Sequence, residues 1–259
     1  MQLNQLFRPL KPFLSRTFYR EGSVRTIVFG PSRGLRYRIF PGYGWAPICG
    51  GWEPTAQRLM QKHIGPGSVA YDIGANYGIH TLLMARQAGP QGHVYAFEPV
   101  EPIANHLREN VAMNRFTHVT CVDAALSDQT GTAHFFRALH DGAGHLAPDG
   151  KAEGSTVLVK TVTLDEFVFQ KNNRPPQFMK MDVEGSESRV LSGGLKVLES
   201  YHPILLIDLH TPKQDLAVGD ILSRFGYTAY RTRDNVKADL TKGWPSPDGL
   251  WDQLIAFPA

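Results

Sequence analysis

The sequence predicts an α/β fold: a seven-stranded, mostly parallel sheet with one antiparallel strand and helices on both faces. Three observations carry that expectation. From Val69 onward, short apolar runs alternate with runs of helical period, the pattern of parallel strands joined by crossover helices. The first such unit, VAYDIGANYGIHT, turns on Gly74 and Gly78. After five strand–helix units, YTAYR and LIAFP form a terminal hairpin that supplies the antiparallel strand.

Size and composition set the bounds. A chain of 259 residues suffices for one large α/β domain with a substantial core. The net charge of +3 is too small to argue for nucleic acid, and no D/N-P-P-Y/F motif points to base methylation. No run of about eighteen apolar residues reads as a membrane span. Arg8, Pro9, Lys11, Pro12 and Arg16 interrupt the N-terminal apolar residues, so no signal peptide is expected. Cys49 and Cys121 lack metal-ligand spacing and fit a reducing cytoplasm without a disulfide. Residues 1–53 read as a basic segment and β-hairpin extension, and residues 54–259 as the main domain.

The elements follow in order. Between Met1 and Tyr19, Leu3, Leu6, Phe7, Leu10, Leu14 and Phe18 fall near helical spacing among basic residues. Packing of this segment on the main domain is the favoured reading, and peripheral contact with an anionic membrane is the alternative. VRTIVFG and LRYRIFPG, joined by Pro31 to Gly34, read as a half-exposed hairpin with an arginine-rich polar face. A loop carrying Trp45 and Trp52 leads to a helix from about Pro54 to Ile64, stopped by Gly65 and Pro66. Strand, glycine turn and helix follow, the helix ending at Gly89 and Pro90.

That glycine turn is the layout that holds a nucleotide-like cofactor, because glycine lets the backbone turn sharply and approach a ligand. Its spacing, G-x-x-x-G, departs from the dinucleotide pattern G-x-G-x-x-G. Asp72 beside it would repel a pyrophosphate but attract the sulfonium and ammonium of S-adenosylmethionine. HVYAFEP then gives a second strand ending in Glu98, whose carboxylate can accept both ribose hydroxyls.

A helix from Ile103 to Asn114 and a third strand in VTCVDAALSD come next, with Asp123 able to accept from an adenine amino group. GTAHFF and STVLVKTVTL read as strands around a long glycine-rich loop bordering the acceptor pocket; His140 and His145 in it are read as surface residues. PQFMKMDVEGSE is a fourth strand with Asp182 and Glu184 at its tip, expected beside the first strand. YHPILLIDLH is a fifth, ending in Asp208 and His210.

With these blocks in view, the chain resembles the FkbM-type methyltransferases, a branch of the class I S-adenosylmethionine-dependent enzymes with a Rossmann-like fold. The resemblance lies in DIGANYGIHT, AFEP, ALSDQTG, TLDEF, KMDVEGSE and the ILLIDLH strand, spanning roughly Glu53 to His210. His80 stands where an aromatic is common in the family, and Asp208 where Glu is expected. The resemblance implies methyl transfer, usually to oxygen on a small molecule, sugar or glycan. A non-catalytic S-adenosylmethionine-binding or membrane-associated protein is the alternative.

These readings give a cofactor site of Asp72, Gly74, Ala75, Asn76, Gly78, Thr81, Glu98, Pro99, Asp123, Ala124 and Asp182. The catalytic candidates are Asp182, Glu184 and His210. A hydroxyl acceptor is a weak nucleophile and benefits from a base. Asp182 or His210 acting as that base is favoured over a divalent cation held by Asp182 with Asp208, Glu184 or His210, because no ligand motif has diagnostic spacing.

Overall fold

A computed structural model describes residues 22–40, 45–137, 144–146, 156–210, 212–241 and 253–259. The basic segment before residue 22 and most of the glycine-rich loop, with His140, lie outside the described residues.

The main sheet contains β3 (Val69–Ile73), β4 (His93–Phe97), β5 (Val119–Val122), β10 (Phe178–Met181), β11 (Ile204–Asp208), β12 (Tyr227–Arg231) and β13 (Gln253–Pro258). Its order is β12-β13-β11-β10-β3-β4-β5, with β13 antiparallel to both neighbours and the other pairings parallel. The expected seven strands and single antiparallel strand are therefore present. Strand order reverses between β3 and β10, so the carboxyl ends of those two strands flank the crevice where such sheets bind ligands.

The strands read as continuous apolar runs because both faces are covered. Tyr71, Ile73, Phe97, Met179, Met181, Leu205 and Ile207 pack into one buried cluster. Ala70, Val94, Phe178, Leu206 and Ile255 pack on the opposite face. There they meet α1 (Pro54–His63) and α2 (Ile79–Ala88) through Met60, Leu83 and Met84. Pro54 opens α1, where its missing N–H costs nothing, and Gly78 and Gly89 bound α2. The remaining α-helices among the described residues are α3 (Glu101–Met113), α4 (Glu187–Ser192), α5 (Leu195–Tyr201) and α6 (Pro212–Arg224), and Glu166–Gln170 forms one π-helical turn.

Two additions surround this sheet. The hairpin of β1 (Val24–Thr26) and β2 (Arg36–Arg38) buries Leu35, Tyr37 and Ile39 against Ala75, Leu107 and Val111. Its open edge meets side chains of α3 instead of another strand. Asn114 accepts from the Arg36 N–H at 2.8 Å, and Asn110 from the Arg38 N–H at 3.0 Å.

The second addition was not expected as a separate layer. β6 (Ala125–Leu126), β7 (Gly131–Arg137), β8 (Gly144–Leu146) and β9 (Thr156–Val162) form their own sheet, ordered β6-β9-β7-β8. The expected third strand, Val119 to Asp128, is thus split between two sheets. Among the described residues, no helix is long and apolar enough to cross a membrane.

Candidate active site

The glycine turn is welded to the tips of both neighbouring strands. The N–H groups of Gly74 and Ala75 donate to the Phe97 carbonyl at 3.1 and 2.9 Å. Gly74 has φ +79, and a Cβ there would stand 2.0 Å from the carbonyl oxygen of Asp182. Only glycine meets both conditions. Asn76 takes the next left-handed position, φ 51, which asparagine tolerates better than most residues. Its N–H donates to Glu98 Oε2 at 3.0 Å, while the Val100 N–H donates to Glu98 Oε1 at 2.9 Å.

Glu98 is therefore fixed before any ligand arrives. Burial pushes its carboxyl up to about 7, even though the two backbone donors pull it down; Asp72 and Asp123 push it further up. A carboxylate has about four lone-pair sites, so two remain for a diol. Glu98 lines an open cleft, with Gly74, Asn76, Pro99, Asp182 and Glu184 among the other lining residues. Phe97, Ile103, Leu126 and Phe135 give the cleft an apolar wall, and none of them was expected there. Phe135 lies in a run recognisable as a strand, but nothing local signals that its sheet folds over the cleft.

Other expected cofactor residues stand further back. Asp72 is fully buried and accepts from Thr81 Oγ1 at 2.5 Å, while its Oδ1 has no hydrogen-bond donor. Ala75 packs among the hairpin residues, and Gly78 lies against Leu107. Asp123 is exposed and ion-paired with Arg108, and Ala124 is buried in the apolar core.

The tips of β10 and β11 bring together the three catalytic candidates. His210 Nε2 lies 3.4 Å from Asp182 Oδ1 and 3.4 Å from Glu184 Oε2. On the other side of the ring, Nδ1 lies 2.9 Å from Oε1 of Glu187, a fully buried carboxylate at the start of α4. Burial alone would lower the His210 pKa, but the Glu187 hydrogen bond and the Asp182, Glu187 and Glu184 charges raise it to about 9. Burial pushes Glu184 upward, whereas for Asp182 the neighbouring Lys180 and His210 cations outweigh burial and hold its carboxyl low.

Asp208 does not join this group. Its two oxygens accept from Gln253 Nε2 at 2.9 and 3.1 Å, and burial holds its carboxyl well above the usual range. Behind the cluster, Lys180 Nζ donates to Asp182 Oδ2 at 3.1 Å. Burial works against the Lys180 charge, but Asp182, Glu53, Asp72 and Asp208 outweigh it and keep the ammonium ionised. His80 is buried nearby and driven down to about 4, first by burial and then by Lys180, so it is neutral at pH 7. Lys180 and Glu187 escaped the sequence reading as site residues. The signal for Lys180 was a charged residue inside the buried strand FMKM.

S-adenosylmethionine fits these residues. Glu98 offers free acceptor positions for ribose hydroxyls, the apolar wall suits a planar base, and the carboxylates suit a cationic methyl donor.

The hexuronic acid methyltransferase AglP of Haloferax volcanii is 28% identical over 194 residues, covering 74% of this chain and 76% of that protein. The 2-O-methyltransferase NoeI of Sinorhizobium fredii is 27% identical over 169 residues, covering 56% of this chain and 67% of that protein. The crystal structure of an S-adenosylmethionine-dependent O-methyltransferase from Thermotoga maritima aligns with a TM-score of 0.50 and 12% identity. That alignment covers 95% of this chain and 81% of the other, and it supports the fold alone. The family described as the methyltransferase FkbM domain matches residues 72–231, from the buried aspartate before the glycine turn to the end of β12. With more than half of its length matched in this way, the chain belongs to the FkbM family of S-adenosylmethionine-dependent methyltransferases.

Proposed function

We propose that this protein methylates a hydroxyl oxygen on a sugar, glycan or other small polyhydroxy acceptor. One observation carries the reading: Glu98, Asp182 and Glu184 line the same cleft. The expected diol-binding carboxylate and the strand-tip acids therefore face one cleft. The name of the related AglP supports a sugar-type acceptor, and that of NoeI supports transfer to oxygen.

When bound, S-adenosylmethionine supplies an electrophilic methyl group whose transfer leaves a neutral thioether. The chain's own task is alignment and proton removal. Glu98, with the backbone of Asn76 and Val100, fixes the ribose end. Asp182, pinned by Lys180, and Glu184 receive the acceptor hydroxyl. His210, held as a cation by three carboxylates, is a poor base at neutral pH, so the proton passes to a carboxylate. We assign residues 54–259 to the catalytic domain and residues 1–53 to an extension, whose described hairpin packs against Ala75, Leu107 and Val111. The two unpaired cysteines suit a reducing compartment such as the cytoplasm.

Methyl-labelled S-adenosylmethionine incubated with uronic acids, neutral sugars, glycans and hydroxylated metabolites tests the proposal. Alkali-stable label on an acceptor oxygen is expected. Cofactor binding with no transfer to any hydroxylated acceptor would sink it in favour of a non-catalytic binding protein.

A further inference from the structure

We propose that Asp182, Glu184 and His210 bind one divalent cation of the Mn²⁺ or Zn²⁺ kind at the acceptor end of the cleft. The inference rests on the methyl-transfer reading and replaces the metal-free carboxylate base: binding of the ion displaces the Nε2 proton that His210 carries in the metal-free chain.

The first support is the convergence of three ligand atoms. One atom from each residue lies within 4.8 Å of the others, and both carboxylate oxygens stand 3.4 Å from His210 Nε2. A charge-assisted N–H···O bond normally closes to about 2.7–2.9 Å. These contacts are longer than that. Ligands about 2.0–2.2 Å from a shared ion at tetrahedral angles stand about 3.3–3.6 Å apart. The spacing of His210 Nε2 from each carboxylate oxygen matches that of coligands around an ion.

The second support comes from behind the histidine. A histidine that binds a metal commonly donates its other ring N–H to a carboxylate, which fixes the tautomer and ring orientation. Glu187 takes that position. Its Oε1 lies 2.9 Å from His210 Nδ1 and also accepts from the Gly185 N–H at 3.1 Å. Its side chain is fully buried, and Oε2 has no hydrogen-bond donor. Burying a carboxylate with an unpaired oxygen is costly unless positive charge stands near it. The imidazolium provides that charge in the metal-free chain, and once its Nε2 proton is displaced a dication bound there provides it.

The carboxylates are also presented for binding. Lys180 holds Asp182 Oδ2 at 3.1 Å, leaving Oδ1 toward His210 Nε2. Glu184 completes the set from a left-handed backbone position, φ 53, and remains partly open to the cleft. Three protein ligands leave an ion with an open position, which the acceptor hydroxyl can take. Coordination there lowers the hydroxyl pKa and orients the oxygen. The proton leaves to solvent water through the cleft mouth; the new C–O bond forms as the donor's C–S bond breaks.

The test uses the full-length chain, stripped with a chelator and titrated with Mn²⁺ or Zn²⁺. Free Mn²⁺ is read by electron paramagnetic resonance and Zn²⁺ by a competing indicator, with S-adenosylhomocysteine binding followed separately by calorimetry. One ion per chain is expected. His210→Ala and Glu184→Gln should each weaken it at least tenfold. Glu187→Gln, which alters a positioning residue, should weaken it about 10–100-fold. All three variants should bind S-adenosylhomocysteine within about twofold of the parent; Glu184→Gln, at a partly exposed site, serves if His210→Ala misfolds. A parent that binds S-adenosylhomocysteine but neither ion overturns the proposal and returns the chemistry to a carboxylate base. Ion binding unchanged in both Glu184→Gln and the folded His210→Ala or Glu187→Gln variant places the ion elsewhere and overturns it equally. A parent that binds no S-adenosylhomocysteine refutes the methyltransferase reading itself, whatever the ion count.

Discussion

Lys180 and Asp72 stand side by side, in register on adjacent parallel strands, and both are shut off from solvent. Paired residues of neighbouring strands share a sheet face, so the ammonium sits beside a carboxylate with an unpaired oxygen. The Lys180 side chain also reaches Asp182, just beyond the end of its own strand. One buried cation thus ties the back of the glycine turn to the acceptor side of the cleft.

Removing that cation should be expensive. Lys180→Met keeps the chain length but leaves Asp72 and Asp182 without their shared counter-charge, and breaking a buried pair costs about 3–5 kcal/mol. Urea denaturation should show that loss. The double variant Lys180→Met, Asp72→Asn should recover part of it, because one stranded carboxylate is neutralised. A single-variant loss below about 1 kcal/mol would mean that the charges are solvated in solution.

The two turn glycines should not be equivalent. A methyl group at Gly74 meets the Asp182 carbonyl at 2.0 Å, whereas one at Gly78 meets the rotatable Leu107 Cδ1 at 2.4 Å. Both positions also carry the left-handed penalty of about 1–2 kcal/mol for a residue with a Cβ. Gly74→Ala should therefore cost more stability than Gly78→Ala and should abolish S-adenosylhomocysteine binding. Melting curves and calorimetry on the pair check this, and equal losses would contradict the assignment of Asp182 as a rigid wall.

How much of this was legible follows from the range of each interaction. The strand ending at Asp72, the turn at Gly74 and the tips at Glu98 and Asp182 are local patterns, and each stands where its periodicity and punctuation placed it. The meeting of Asp182, Glu184 and His210 followed from one topological rule, that consecutive strands end on the same side of a parallel sheet. Register was not legible. Whether Asp208 turns toward His210 or toward Gln253 depends on how β13 pairs with β11, which no local window reveals. Asp123 pairs with Arg108 through the packing of α3, and Glu187 meets His210 across 23 residues of chain. The second sheet was hidden for the same reason: β6 pairs with β9, about thirty-five residues later.

The hairpin edge offers a test of packing outside the cleft. Asn110 is buried; its Oδ1 accepts from the Arg38 N–H and its Nδ2 donates to the Tyr77 carbonyl at 2.8 Å. Asn110→Ala strands both partners and should cost about 1–3 kcal/mol. Asn114→Ala, at a more open position, should cost less. Hydrogen exchange at the Arg38 amide should accelerate in Asn110→Ala; unchanged protection there would show that the side chain does not hold the strand.

Glu98 should make both stability and cofactor affinity depend on pH, in opposite directions. Its ordinary value is 4.5, and in the folded protein burial raises it to about 7. Between those values the native state binds more protons than the unfolded chain, so stability falls as pH rises through the interval. The contribution is fully present below 4.5 and lost above about 7, amounting to about 3 kcal/mol at about 1.4 kcal/mol per pH unit. Ribose hydroxyls, by contrast, donate to the ionised carboxylate. Affinity for S-adenosylhomocysteine should therefore be flat above about pH 8 and weaken toward tenfold per unit below pH 7. Glu98→Gln should flatten that profile and weaken binding at pH 8 by about 1.5–3 kcal/mol, the worth of hydrogen bonds to a charged group. Calorimetric titrations of both proteins from pH 5.5 to 8.5 decide it: a parent profile that stays flat through pH 7, or a Gln variant that keeps the parent's slope, removes Glu98 from the ribose-binding role.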